Sequence, residues 1–223
     1  MHIRQAVGVS YLLRLVLPDR PGALGAVATA LGEVGADILT VDVIERSPGR
    51  ATDDLVVQLP PDKLADSLVS AASTVPGVTV ESIRPYAGQI DPHRELELLN
   101  KLFTGSEEPL FALTDGVTRI FRAGWALVLG EPIDGEAKVL AAGGAAPEVE
   151  TLLTPWWPPA PARSLDVEDE WAPSHWSRLG TELAVAPLGH GALLVGRPAL
   201  RWLPSELLRL QHFAAIAATV TSA

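Results

Sequence analysis

The residues of this chain best suited to chemistry form one short loop, Asp19-Arg20-Pro21-Gly22-Ala23-Leu24. It joins an alternating apolar stretch, typical of a strand, to a stretch with apolar residues at helical spacing. Gly22 lets a ligand approach the backbone closely, and Pro21 suits the first helical position, where its missing amide would have no partner. The free amides of a first helical turn attract a carboxylate or phosphate. The loop is therefore a candidate anion-binding site, although an ordinary strand-to-helix turn would use the same residues.

The elements around this loop follow the order βαββαβ. Alternating apolar residues indicate strands, and helical spacing indicates two helices between them. Gly35 is placed to cap the first helix at its C-terminal end, and Pro60-Pro61-Asp62 opens the second helix. The order predicts a ferredoxin-like arrangement, with two helices on one face of an antiparallel sheet. The predicted strands are 9–17, 38–45, 54–59 and 78–84.

The loop motif, followed by Gly35-Ala36-Asp37-Ile38 inside βαββαβ, resembles the ACT domain over about residues 8–86. That family consists mainly of regulatory modules that bind amino acids or similar small metabolites, often where two domains pair. The resemblance implies a ligand against the loop, with the start of the second strand, often from a partner domain, closing the site. The ligand-binding residues that it implies are Asp19, Arg20, Pro21, Gly22, Ala23, Leu24, Asp37 and Ile38.

Asp37 departs from many amino-acid-binding members of that family, which carry Asn at this position. An Asn side chain can donate to a ligand carboxylate and accept from its amine, whereas an ionised Asp can only accept. Asp37 therefore suits the ammonium group of an amino acid and would repel its carboxylate. It could instead cap the strand or face solvent.

The second half of the chain has a different composition, which indicates a second domain. All six tryptophans lie there. We predict domains at 1–86 and 93–223, joined by a linker at 87–92 that is rich in Pro, Gly and polar residues. Helical spacing and alternation predict helices at both ends, strands between them, a short helix over Pro147–Leu153 and a hairpin around Gly189-His190-Gly191.

The hairpin strands, which end in Ala186-Pro187-Leu188 and Val195-Gly196-Arg197, precede a helix that begins near Ser205. This pattern is similar to the C-terminal half of a GAF domain, and the resemblance covers about residues 91–221. It implies a ligand pocket on one face of an antiparallel sheet and dimerisation through the terminal helices. The signature of cyclic-nucleotide-binding members is absent, and so is the cysteine that bilin-binding members need. The ligand of this domain, if it has one, is not indicated.

A proline-rich stretch of the second domain holds several aromatic residues without a clear period. They could form a lid over an apolar ligand, a small core that holds the loop to the sheet, or a docking patch for a protein. If they form a second ligand pocket, its candidate residues are Trp156, Trp157, Trp171, His175 and Trp176.

Composition excludes several function classes. The chain of 223 residues has a net charge of −10 and no cysteine, so disulfides, thiol catalysis and Cys-ligated metals are excluded. No basic cluster favours nucleic acid, no apolar run is long enough for a membrane helix, and no secretory signal is evident. We therefore expect a cytoplasmic protein with no direct nucleic-acid or membrane partner.

Catalytic motifs are also missing from the sequence. None of the five histidines has metal-binding spacing within a helix, and no phosphate-binding loop or nucleophile elbow occurs. We expect a two-domain α+β regulatory protein, not an enzyme, with no metal or cofactor, forming a homodimer and binding an amino acid or similar metabolite. The alternative is a dimeric scaffold or protein-interaction module without a small ligand. An enzyme with an unrecognised site in the second domain is a third interpretation.

Overall fold

A computed structural model describes residues 9–86, 94–105, 108–167 and 171–221, apart from the side chains of Arg94 and Arg178. The chain divides into two compact units, Met1–Ile90 and Asp91–Ala223. The predicted linker, 87–92, lies outside the described residues. Among those residues, no helix is both long and apolar enough to cross a membrane. The fold is α+β, and both sheets are antiparallel.

The N-terminal unit has the element order β1-α1-β2-β3-α2-β4, as the sequence predicts. Its four strands form one antiparallel sheet in the order β2-β3-β1-β4. Strand β1 is central and pairs with β3 from Val9↔Leu59 to Pro18↔Arg50 without a break in register. The elements are β1 Val9–Pro18, α1 Ala23–Glu33, β2 Asp37–Ser47, β3 Arg50–Leu59, α2 Asp66–Ser73 and β4 Thr79–Pro85.

The core of this unit lies between the sheet and its two helices. The odd-numbered residues of β1 and β3 share one face of the sheet and pack against apolar residues of α1 and α2. Gly35 caps α1 as predicted, because it has φ +83° and the amide of Ala36 donates to the carbonyl of Leu31 at 3.1 Å. Helix α2 begins four residues after Asp62, so its predicted opening at Pro60-Pro61-Asp62 is wrong. Residues from Pro60 form turns first, with the amide of Lys63 donating to the carbonyl of Pro60.

The C-terminal unit contains a six-stranded antiparallel sheet in the order β7-β6-β5-β10-β9-β8. Its helices include α3 Arg94–Phe103, α4 Pro109–Ile120, α5 Ser174–Arg178 and α6 Pro204–Thr221. Its strands are β5 Trp125–Leu129, β6 Glu136–Gly144, β7 Thr151–Leu153, β8 Arg163–Leu165, β9 Thr181–Leu188 and β10 Gly191–Pro198. Strands β9 and β10 form the predicted hairpin.

Both faces of this sheet carry an apolar core. On one face, residues of β5, β9 and β10 pack against helices α3, α4 and α6. On the other face, alternate residues of the same strands pack against Trp171, Trp176 and Leu152. Because successive side chains of a strand point to opposite faces, a strand that is covered on both faces needs the nearly continuous apolar run found in β5.

The helix predicted over Pro147–Leu153 is wrong. Its last residues form β7, which pairs with β6 at Lys138↔Thr151 and Glu136↔Leu153. Leu152 is buried, whereas Thr151 and Leu153 are exposed, which is the alternation of a half-buried strand. Pairing with a neighbouring strand overrides the local helical spacing here.

Candidate functional site

The loop between β1 and α1 is the site that the sequence predicts. Its backbone is anchored to the β2–β3 hairpin, because the amide of Asp19 donates to the carbonyl of Gly49 at 3.1 Å. Gly22 is the N-cap residue of α1 and has φ +86°, a left-handed conformation that favours glycine. The first helical residue is Ala23, so the prediction that Pro21 occupies this position is wrong. Pro21 lies in the turn before the cap, because the left-handed Gly22 must come between it and the helix.

The first turn of α1 has no capping group of its own. No side chain caps it, and no acidic residue lies in the first turn. The amides of Ala23 and Ala26 donate to the carbonyls of Arg20 and Gly22, but within the described residues the amides of Leu24 and Gly25 have no acceptor. Open space surrounds the α carbon of Gly22, because a β carbon added there would meet no atom within 4 Å. These two amides can therefore donate to an anion.

Asp53 of β3 is a further candidate residue, which the sequence analysis overlooked. It lies beside Leu15 of β1 on the face of the sheet that α1 and α2 cover, in line with Leu55 and Val57. Only 3% of the residue is exposed, and its Oδ1 atom has no hydrogen-bond partner in the described part of the chain. A charged residue at an apolar position of an alternating strand is the signal that could have revealed it.

The charges around Asp53 belong to the candidate loop and its neighbours. Burial raises the pKa of the Asp53 carboxyl above its ordinary value of 3.8, and the nearby carboxylates of Asp54 and Asp19 raise it further. The guanidinium of Arg46 lowers this pKa, but no ion pair joins Arg46 to Asp53 among the described residues. The carboxyl of Asp53 thus lies within electrostatic reach of the loop that precedes α1.

Asp54, the next residue, provides a contrast. It is also buried, and both of its carboxylate oxygens are bonded to the guanidinium of Arg14, at 2.7 and 2.9 Å. This pair lies on the other face of the sheet, because adjacent strand residues alternate. The described residues therefore supply a partner for both carboxylate oxygens of Asp54 and none for the Oδ1 atom of Asp53.

Asp37 and Ile38 lie far from the β1–α1 loop of the same chain. Strand β2 runs parallel to β1, so its first residues lie at the end of the sheet where β1 begins. Asp37 pairs with Gln58, whereas Pro18, which precedes the loop, pairs with Arg50. Eight residue steps along β3 separate these two levels, which corresponds to about 26 Å. Within one chain the structure brings together residues 19–24 but not the start of β2.

The aromatic residues of the second candidate pocket do come together. Trp176 is 2% exposed and packs against Trp125 and Trp171, with ring centroids 5.0 and 6.2 Å away. Trp156 contacts Trp171 edge-on at 5.8 Å and Trp157 at 6.1 Å. His175 is exposed and touches the outer side of the group, edge-on to Trp176.

This tryptophan cluster forms part of the apolar core on one face of the six-stranded sheet. Of the three interpretations of the stretch, packing against the sheet describes Trp171 and Trp176 best. The indole Nε1 atoms of Trp156 and Trp176 are buried without a hydrogen-bond partner in the described residues. Within the same residues, no group of three or more His, Asp or Glu side chains is arranged to hold a metal ion.

Comparisons with known proteins find solved structures that are only weakly similar to this chain. The GAF domain of an Acinetobacter phosphoenolpyruvate-protein phosphotransferase matches with 11% identity and a TM-score of 0.45, over 58% of this chain and 90% of that chain. A bacteriophytochrome from R. palustris matches with 12% identity and a TM-score of 0.45, over 99% of this chain and 59% of that chain. An unknown protein from Galdieria sulphuraria matches with 13% identity and a TM-score of 0.32, over 96% of this chain and 92% of that chain.

No family model and no curated protein matches the chain. The TM-scores of these three solved structures lie below 0.5. None of the three resemblances therefore assigns the chain to a family or transfers a ligand to it.

Proposed function

We propose that this protein is a non-catalytic sensor whose N-terminal unit binds an amino acid or a similar small metabolite at the β1–α1 loop. The observation that carries the proposal is the first turn of α1, where Gly22 leaves open space and the amides of Leu24 and Gly25 have no acceptor among the residues that the structure describes. A ligand carboxylate would accept from these amides. Contacts of this kind contribute about 0.3–1 kcal/mol each, and up to about 2 kcal/mol when partly buried.

The proposed family of this unit is the ACT domain, with a ferredoxin-like fold. The element order and the strand order β2-β3-β1-β4 support it, together with the motif of residues 19–24. The contribution of Asp37 and Ile38, which the family resemblance implies, stays a prediction that the site proposed for a single chain does not require. These two residues would reach a loop ligand only from a second copy of the chain, and homodimer formation also stays a prediction.

The C-terminal unit is proposed to be GAF-like and to relay the signal or to sense a second ligand. Its antiparallel sheet, with helices on one face and the tryptophan cluster on the other, supports this part of the proposal. Trp171 and Trp176 are already packed, so a large apolar ligand would have to displace their aromatic contacts. This packing favours a role in signal relay over the sensing of a second ligand.

A thermal-shift screen of the twenty amino acids tests the proposed function. A ligand at 100 times its dissociation constant adds about 2.7 kcal/mol to the folded state, which corresponds to about 5–10 °C for a chain of this size. We expect one amino acid to raise the melting temperature of the wild type but not of Gly22→Val. A screen without any shift would contradict the proposal.

The alternative, a protein-interaction module, is favoured by a different observation. A groove of about 390 Å³ lies along α3 and α6, between Leu99, Leu208 and Ile216. Leu208 and Ile216 are exposed, although they are large and apolar. A second chain could bury them, in which case the protein would associate through these helices whether or not any amino acid is present.

A further inference from the structure

In the described part of the chain, the Oδ1 atom of Asp53 lacks the partner that a buried carboxylate requires. An ionised carboxylate removed from water is strongly disfavoured unless it is paired or hydrogen-bonded. Its neighbour Asp54 meets this requirement through the two contacts to Arg14. The Oδ1 atom of Asp53 is buried without any partner among the described residues, although a guanidinium, that of Arg46, is near enough to lower its pKa.

The position of Asp53 links this missing partner to the candidate loop. Asp53 lies three residues after Arg50, at the end of the sheet where β1 leads into the loop. Its side chain is on the face that α1 covers, and the charge of Asp19 acts on it. A hydrogen-bond acceptor of negative charge and the free amide donors of α1 therefore lie at the same end of the same face.

Two groups of opposite character at this end of the sheet would together define the chemistry of a ligand. The amides of Leu24 and Gly25 can only donate, so they select an anionic oxygen. The ionised carboxylate of Asp53 can only accept, so it selects a group with N–H donors and positive charge. An α-amino acid carries both groups on one carbon, whereas a carboxylic acid of the same shape lacks the second group.

We propose that Asp53 binds the ammonium group of the ligand, so that the site selects an α-amino acid over the same acid without its amino group. This inference rests on the proposed function and adds to it the residue that determines specificity. It differs from the prediction for Asp37, which lies at the other end of the sheet. Asp19, which is exposed, would contribute less, because its charge is screened by water.

Isothermal titration calorimetry of the full chain tests this proposal with matched ligands. Each of the twenty amino acids is compared with the carboxylic acid that lacks its α-amino group, on the wild type and on Asp53→Asn. For the amino acid that binds, we expect Asp53→Asn to weaken binding by about 30-fold or more, as for loss of one partner of a buried charged pair. The affinity for the deaminated acid should change by less than about threefold.

Asp62→Asn is the matched control, because it makes the same chemical change at an exposed position after β3, at the far end of the sheet. It should leave both affinities as in the wild type. The comparison of the two ligands on the wild type needs no variant, so it stays decisive even if Asp53→Asn folds poorly. Equal affinity of the wild type for an amino acid and its deaminated acid would overturn the proposal.

The outcomes separate this inference from the proposed function. If an amino acid binds and Gly22→Val abolishes binding while Asp53→Asn does not, the site is correct and the role of Asp53 is wrong. If neither the amino acids nor the acids bind the wild type, the proposed function fails and the role of Asp53 fails with it.

Discussion

Asp19 and Asp37 lie at opposite ends of the four-stranded sheet, separated by the eight residue steps of β3 from Arg50 to Gln58. A small ligand cannot touch both within one chain, because this separation is about 26 Å. Asp53 lies at the end that carries Asp19 and is the acceptor that we propose for the ammonium group. The site can therefore be complete within a single chain, even if two chains associate.

This arrangement predicts that ligand affinity does not depend on protein concentration. We expect one ligand per chain and the same dissociation constant above and below any dimerisation threshold, which sedimentation velocity would locate. An affinity that increases as the chains associate would contradict the prediction. Such a result would indicate that Asp37 from a second copy closes the site, as the family resemblance implies.

Gly22 should be hard to replace for a reason that is independent of ligand. Its φ of +86° places any other residue in the left-handed region, at a cost of about 1–2 kcal/mol. We expect Gly22→Ala to lower the free energy of unfolding of the N-terminal unit by about that amount. Gly32→Ala is the control, because Gly32 lies inside α1 with no crowding and no positive φ, and alanine there should stabilise the helix by about 0.5–1 kcal/mol.

Differential scanning calorimetry measures both variants. The transition of the C-terminal unit is identified by tryptophan fluorescence, because all six tryptophans belong to that unit. Equal effects of Gly22→Ala and Gly32→Ala would be inconsistent with the left-handed cap.

Asp53 should make the stability of the free protein depend on pH. Burial raises its pKa in the folded protein above 3.8, the carboxylates of Asp54 and Asp19 add to this, and Arg46 opposes it. The folded protein therefore holds this proton more tightly than the unfolded chain does. The stabilisation of the folded protein by this bound proton is fully present below about pH 3.8. It is lost as the pH rises through the raised pKa of Asp53.

We therefore expect Asp53→Asn, without ligand, to be more stable than the wild type at about pH 8. The difference should shrink as the pH falls toward 4. Urea unfolding followed by circular dichroism at several pH values measures it, with Asp62→Asn as the control for an exposed carboxylate. A variant that is less stable than the wild type at every pH would show that Asp53 has a partner in the free protein.

Trp176 should act as a core residue and not as part of a movable lid. It is 2% exposed and packs against Trp125 and Trp171, so Trp176→Ala should cost about 3–5 kcal/mol. Trp176→Phe should cost much less, because the ring contacts are partly kept and a buried N–H group without a partner in the described residues is removed. Urea unfolding followed by tryptophan fluorescence measures both variants. A small effect of Trp176→Ala would instead favour a lid.

The sequence predicts much of the N-terminal unit because its elements obey simple periods. Alternation in β1 and the helical spacing that ends at Gly35 both correspond to the observed elements. Asp53 was not recognised from the sequence alone. A single charged residue in an alternating apolar strand becomes informative only when the structure shows which face of the sheet the helices cover. The local spacing over Pro147–Leu153 favours a helix. In the structure, the last residues of this segment form a strand because Thr151 pairs with Lys138.

The tryptophan stretch shows a different limit of sequence reasoning. Trp156, Trp171 and Trp176 have no common period, so their side chains could equally have formed a lid, a core or a docking patch. Their rings come into contact because distant parts of the chain lie on the same face of the sheet. A local sequence pattern does not predict such contacts. The separation of Asp37 from Asp19 follows from strand direction and register, which the motif alone does not specify.

The proposed function requires that a ligand carboxylate accepts hydrogen bonds from the amides of Leu24 and Gly25 at the start of α1. Amide hydrogen exchange of Leu24 and Gly25, followed by NMR with and without the amino acid that stabilises the protein most, tests it directly. We predict that saturating ligand slows exchange at these two amides at least tenfold and leaves those of α6 unchanged. Protection confined to the C-terminal unit, or none at Leu24 and Gly25, would contradict the claim.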